Sequence, residues 1–364
     1  MKNIFFICLC ALFAFTGCAD DDDDLLTGGN VDIDLLPDSK PNDVVNTNVF
    51  DIINLNYPGL EKVKEFYETG EYYYAANALL EYYRTRTNVT NPNLSLINVT
   101  ISEADQTKAD YALEDYRFHV NNFYEDQETL KPYSLKKDGT INWTFSPEGA
   151  SDEYQKQLHR HQWFIPQAKA YRISGNEKYI QSWIEVYNNW IDQNPKPESG
   201  TNTTSWWQLQ VATRINDQVQ LLEYFKNSIN FTPEWLTTFL VEFAEQADFL
   251  VDYPYESGGN ILISQANALA TAGTLMPEFK NAEKWMETGY QILSEEVQNQ
   301  IMSDGWHKEM SLHYHISIVA DFYEAMKLAE ANQLSSKLPS NFTEPLRKAA
   351  EVVMHFTYPN YFSK

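Results

Sequence analysis

The stretch Ser174-Gly175-Asn176-Glu177-Lys178-Tyr179-Ile180-Gln181-Ser182-Trp183-Ile184-Glu185-Val186-Tyr187-Asn188-Asn189-Trp190-Ile191-Asp192-Gln193-Asn194-Pro195 reads as one amphipathic helix with both ends marked. Tyr179, Ile180, Trp183, Tyr187, Trp190 and Ile191 recur every three or four residues and share one face; Gly175-Asn176 precedes the run and Asn194-Pro195 stops it. The same period returns on both sides. Leu60, Val63, Phe66 and Tyr67, then Ala75, Ala76, Leu79, Leu80 and Tyr83, make two helices punctuated by Gly70, a helical hairpin. Thr232-Pro233 is an N-cap followed by proline at the first helical position, and it leads into Leu236, Phe239, Leu240, Phe243 and Ala247. Comparable segments cover roughly 104–124, 152–173, 207–226, 261–273, 280–300, 309–332 and 343–357, with no sustained strand alternation. About ten helices joined by loops of varied length predict an all-α domain of roughly 300 residues, built of antiparallel hairpins. No strict repeat marks a solenoid. Periodicity alone does not separate an α/α toroid from another helical array.

The first eighteen of the 364 residues carry a targeting signal instead. Lys2 precedes an apolar run from Ile4 to Phe15, and Phe15-Thr16-Gly17-Cys18 resembles a lipobox, which predicts a lipoprotein signal peptide over 1–18 with Cys18 lipidated. Phe15 stands where leucine is usual, and an ordinary secretory signal is the alternative. The apolar run is shorter than the roughly 20 residues that span a bilayer. Asp20 to Asp24 forms a solvated tether, and such an acidic run resembles the surface-export signal of some bacterial lipoproteins. Residues 19–49 are therefore expected to be tether and linker, and 50–364 the helical domain. The expected location is the cell envelope: lipid-anchored to the outer membrane and surface-exposed, or periplasmic. Membrane contact is expected through the lipid alone. Cys8, Cys10 and Cys18 all fall in the signal, so the mature domain offers no disulfide or thiol chemistry.

A formal charge of −24 excludes nucleic acid as a partner, because phosphate binding needs a basic stripe. It also opposes an anionic glycan at long range. Attraction to such a ligand must come from a local cluster of Arg, Lys and His. Aromatic residues make up 14% of the chain, a share for which buried helix contacts suffice and sugar stacking is a second use.

Three constellations place polar groups beside loop signals. The first is Leu158-His159-Arg160-His161-Gln162-Trp163, in which Arg160 or His161 either contacts a glycan anion or belongs to a structural polar cluster. On a helix the two histidines diverge, which argues against a zinc pair. The second is Glu256-Ser257-Gly258-Gly259-Asn260, where two glycines permit a tight turn that presents Asn260 at a helix start, either as a simple cap or as a donor to an anion. The third runs from Asp304 through Gly305, Trp306, His307, Lys308, Glu309, Met310, Ser311, Leu312, His313 and Tyr314 to His315. Extended, His313 and His315 would share a face and could bind zinc; in the helical pattern that follows they diverge, and no metal site is expected.

On these residues the chain resembles the heparinase II/III-type polysaccharide lyases, and within them the heparinase III-like branch. Phe50-Asp51-Ile52-Ile53-Asn54-Leu55-Asn56-Tyr57-Pro58-Gly59-Leu60 with Ala78 to Arg86 looks like that family's first hairpin. Leu158 to His161, the Gly258-Gly259-Asn260 turn with Pro277-Glu278-Phe279, and Asp304 to His315 continue the likeness. The resemblance implies an incomplete α/α toroid, followed in the family by a β-sandwich that this chain, ending at Lys364, is expected to lack together with the catalytic histidine it carries. It implies β-elimination on heparan sulfate or a related uronic-acid glycosaminoglycan, by a monomer without a cofactor. No carboxylate spacing resembles a calcium loop. By resemblance Tyr314 is the catalytic acid and, for one uronate epimer, the base, and Asn260 neutralises the uronate carboxylate. Arg214, His161, Arg160, His313, Glu309 and Lys308 are the expected substrate contacts. Two rivals remain: a glycoside hydrolase using Asp304 and Glu309, and a non-catalytic glycan-binding lipoprotein.

Overall fold

The helix read from the opening stretch runs over Lys178–Gln193 in the computed structural model, and Tyr179, Ile180, Trp183, Tyr187 and Trp190 are all buried. The structure describes residues 40–120, 132–202 and 204–357. Cys18 and the rest of the predicted signal and tether up to residue 39 lie outside the described residues.

In chain order the helices are α1 (Val49–Ile52), α2 (Glu61–Glu68), α3 (Tyr72–Thr85), α4 (Glu103–Tyr111), α5 (Glu153–Leu158), α6 (Phe164–Ser174) and α7 (Lys178–Gln193). They continue with α8 (Gln208–Phe225), α9 (Pro233–Asp252), α10 (Gly259–Leu275), α11 (Ala282–Gln300), α12 (Leu312–Ala331) and α13 (Thr343–His355). One two-stranded hairpin, β1 (Lys136–Lys137) and β2 (Thr140–Ile141), turns through Asp138-Gly139, both at positive φ. Asp-Gly is the residue pair such a turn requires. Thr232 caps α9 as its sequence predicts, its hydroxyl accepting from Trp235 N. No described helix is long and apolar enough to cross a membrane.

Two expected helices are shorter than their periodicity. The helix expected over 104–124 stops at Tyr111, and Asp115 and Tyr116 take positive φ values that no helix tolerates. That expected over 152–173 is two helices, α5 and α6, broken where His161 sits at φ 58°.

α6, α8, α10 and α12 run parallel and pack side by side in that order, and the first three are each returned by an antiparallel partner, α7, α9 and α11. Contacts between helix ends fix the directions. Gln208 at the start of α8 donates to Tyr253 O beyond the end of α9, and Gln265 near the start of α10 donates to Leu250 O near the same end. Gln300, the last residue of α11, donates to the first carbonyl of α10, that of Gly259. The arrangement is that of an incomplete α/α toroid, with four inner helices starting at one common end. α10 and α11 approach most closely. A side chain on Gly289 would run into the backbone of Ala266 and Ala270, so only glycine fits there.

The apolar stripes bury into two clusters. The larger joins α1 to α9 with one face of α10; the smaller holds Ile263, Tyr290, Leu293, Ile318, Phe322 and Phe342 between α10, α11, α12 and α13. Residues 40–48, read as linker, lie against the helices. Lys40 pairs with Glu234 at 2.6 Å, Asn42 donates to Gly70 O, and Asn46 N donates to Thr237 Oγ1.

At the end where the inner helices finish, the first hairpin locks onto the α10–α11 link. Ile53 bridges Phe279, and Asn54 N donates to Glu278 O. The Glu278 side chain, fully buried, takes both oxygens to Arg86 Nη1 at 3.0 Å and accepts from the Tyr82 hydroxyl at 2.7 Å. Removing one partner strands the other charge in the core, whereas removing both does not. Glu278→Ala is expected to cost about 3–5 kcal/mol in chemical denaturation, and Glu278→Leu combined with Arg86→Met less. A loss below about 1 kcal/mol for Glu278→Ala would contradict this assignment.

Candidate functional site

The shared starting end of α10 and α12 gathers five of the expected site residues. Gly258 (φ 68°) and Gly259 (φ 74°) make the turn into α10, a conformation that disfavours any side chain. A Cβ on Gly259 would lie 2.8 Å from Glu309 Oε1, and one on Gly258 would lie 3.8 Å from Lys308 Nζ. The two glycines thus let the loop before α12 close over the start of α10. Asn260 follows on the first turn of α10, partly buried, with no hydrogen bond to its carboxamide.

α12 opens beside it, Ser311 Oγ capping Tyr314 N. Tyr314 is 41% exposed, its hydroxyl is unbonded, and its ring meets His313 edge-on at 5.6 Å. Lys308, Glu309 and His313 are exposed as well, and none forms an ion pair. Partial positive charge from two neighbouring helix starts and the Lys308 ammonium favour an anion at this end despite the overall charge, with the Glu309 carboxylate opposing it beside Gly259.

The histidines of this segment do not form a metal pair. His313 points to solvent; His315 is buried, its Nε2 on Ala349 O at 2.9 Å. Among the described residues no group of three His, Asp or Glu side chains is placed to hold a metal ion. Asp304, the expected acid of a hydrolase, caps its own turn through Trp306 N.

The other three expected substrate contacts are placed differently. Arg214 is 1% exposed, and its guanidinium donates to Gln246 Oε1, His159 O and Ser205 O, each at 2.8 Å, while lying 4.3 Å from the Trp190 ring. Burial brings its pKa down to about 10. It joins α8, α9 and two loops and has no surface for a ligand. His161 is 3% exposed inside a cage of Trp143, Trp163, Phe164, Tyr187 and Trp190, with ring centroids 5.0–5.8 Å away. Burial first, then Arg214, holds it well below the ordinary imidazole value, so it is neutral. Arg160 is mostly covered and paired with Glu153 at 3.1 Å. These three are corrected to structural roles: the left-handed turn at His161 carries its ring into the core.

Sequence reasoning missed a concavity of about 290 Å³ between α4, α6 and α8, lined by Lys108, His119, Gln162, Lys169, Thr213 and Asp217. Thr213 and Asp217 are four apart on α8, a spacing that could have flagged one shared face. Burial raises the Asp217 carboxyl to about 7. The folded state therefore keeps a proton that the unfolded chain releases near pH 4, and this contribution to stability fades as pH rises through 7. Asp217→Asn should match wild type near pH 4 and exceed it by on the order of 1–3 kcal/mol at pH 8, read from melting curves. A difference independent of pH would overturn that reading.

Comparison with known proteins matches this arrangement closely. The chain is 90% identical over its whole length to the heparin-sulfate lyase of Bacteroides thetaiotaomicron, of which it covers 52%. It is 35% identical over 334 residues to the heparin-sulfate lyase of Bacteroides stercoris, covering 87% of this chain and 49% of that one. It thus spans about half the length of these curated relatives. A crystal structure of heparinase III superposes with a TM-score of 0.85 at 89% identity, over 87% of this chain and 48% of the other. That of the heparan sulfate lyase from Pedobacter heparinus gives 0.73 at 30% identity, over 88% and 50%. Residues 49–363 match the model of the heparinase II/III N-terminus, and the chain belongs to the heparinase II/III family.

Proposed function

We propose that this chain is the helical part of a polysaccharide lyase that cleaves heparan sulfate, or a related uronic-acid glycosaminoglycan, by β-elimination. One observation carries the reading: Asn260, partly buried, and Tyr314, exposed, stand on the first turns of two adjacent parallel helices at the same end, and neither the carboxamide nor the hydroxyl makes a hydrogen bond among the described residues. The names of the relatives, heparin-sulfate lyase and heparinase III, support the substrate class.

The chemistry follows from what the uronate needs. Its C5 proton is hardly acidic while the attached carboxylate is charged, so the charge must first be neutralised and the enolate stabilised. The Asn260 amide donates to the carboxylate, and the helix starts add positive potential. A base takes the C5 proton, the electron pair forms the C4–C5 double bond, and the C4–O bond breaks. Tyr314 gives its proton to the departing oxygen and, for the epimer whose C5 proton faces it, first serves as the base. A free phenol titrates near pH 10, and the Lys308 ammonium is the cation placed to favour its anion.

The test is ultraviolet absorbance of the unsaturated uronate, with heparan sulfate, heparin, hyaluronan and alginate offered in turn. Absorbance on heparan sulfate supports the reading. Intact glycan bound without product would favour a binding protein, and saturated cleavage products would favour a hydrolase. We also propose that Cys18 is lipidated and tethers the protein to the outer membrane. Loss of the lipid mass and of membrane fractionation in Cys18→Ala would support this, and unchanged fractionation would refute it.

A further inference from the structure

Three buried hydrogen bonds connect the residue before Asn260 to the residue after Tyr314. The Gln300 amide nitrogen donates to Gly259 O at 3.3 Å and also to Glu296, which leaves its Oε1 facing His307 Nε2 at 2.9 Å. Since that oxygen can only accept, His307 carries its proton on Nε2. Its Nδ1 is buried without a partner, and burial keeps the imidazole below its ordinary pKa, so the ring is neutral. The His307 backbone N–H donates to His315 Nδ1 at 3.1 Å, which fixes the His315 proton on Nε2, where it donates to Ala349 O at 2.9 Å. Lys308 N also donates to Gln300 O, so the same glutamine holds the loop by both its backbone and its side chain. His307 and His315 are both 0% exposed, as is Gln300.

The start of α12 follows the end of α11, which lies beside the start of α10, by the irregular loop 301–311, so the backbone path alone does not set the distance between the two helix starts. We infer that His307, joined to Gln300 and His315, is a positioning residue that holds the start of α10 against the start of α12 and so fixes Asn260 relative to Tyr314. This inference rests on the lyase reading for its effect on rate, but not for its effect on structure. Every nitrogen in the chain that can donate has a specific acceptor, so an isosteric apolar ring at 307 would leave Gln300 Oε1 unsatisfied and release the amide that holds Gly259. Misplacement of a catalytic group by about 1 Å can cost up to about a hundredfold in rate.

The test compares His307→Phe with His307→Gln in the full chain, the glutamine amide reaching as far as Nε2. His307→Phe should speed hydrogen exchange at residues 257–263 and 307–316 while leaving 208–225 unchanged, and His307→Gln should restore the slow pattern. Nitrogen-15 spectra should show both His307 and His315 as the Nε2–H tautomer. Where wild type gives unsaturated product, His307→Phe should lower kcat about tenfold or more with KM within about twofold, and His307→Gln should stay within about threefold of wild type. Gln300→Met repeats the test from the other side if His307→Phe does not fold. Unchanged exchange around Gly259 in both apolar variants, or equal damage from His307→Gln, overturns the inference. Absence of product from wild type would sink the lyase reading, and the exchange pattern would still decide the positioning role.

Discussion

Tyr314→Phe should lower the rate of unsaturated-uronate formation by about a thousandfold or more, leaving glycan affinity within about threefold and the fold intact. The hydroxyl makes no hydrogen bond among the described residues and the ring is 41% exposed, so its removal strands no buried group there. On the proposed mechanism the substitution removes the proton donor for the C4 oxygen. Asn260→Ala should cost less, about a hundredfold, because the helix starts still supply part of the carboxylate neutralisation. Comparable activity of Tyr314→Phe and wild type, measured by initial rates at saturating heparan sulfate, would remove Tyr314 from the mechanism.

Arg214→Ala should have the opposite signature, a loss of about 3–5 kcal/mol in stability with glycan binding per folded molecule unchanged. Its guanidinium serves His159 O, Ser205 O and Gln246 at once and stacks on Trp190, so truncation leaves three acceptors in the core without a donor. Arg214→Lys should rescue little, since one ammonium cannot reproduce a planar three-way fork. Denaturation and binding measured on the same sample separate the roles. A stable Arg214→Ala chain that fails to bind heparan sulfate would restore Arg214 as a substrate contact.

The contrast between these residues shows what can be read from the chain alone. The stripe from Tyr179 to Trp190 was legible because one helix buries one face, and the Thr232-Pro233 start because a cap is a local bond. Asn260 and the 304–315 segment were legible because glycines and mixed polar residues mark helix starts. Arg214 was not, because an arginine on a helix defaults to the surface, and its partners come from α9, from the loop before α8 and from His159, remote in sequence. The break at His161 was nearly hidden too. Pro166, in the first turn of α6, was the one local sign of a boundary between residues 153 and 174, and the left-handed turn itself is held by tertiary contacts with Trp143, Tyr187 and Trp190. The hairpin at Asp138-Gly139 had a local signal, but its strands are too short for alternation to show. Gln300 had none: its role exists only once α10, α11 and the following loop meet.

The proposed function places the glycan at the joint start of α10 and α12. Hydrogen exchange of the Tyr314→Phe chain, with and without a heparan sulfate oligosaccharide, tests it without requiring turnover. The account predicts slowed exchange at residues 256–263 and 306–317 with little change at 158–164 and 210–218. Protection confined to 158–164 and 210–218 would move the site to the Arg214 and His161 cluster and contradict the account.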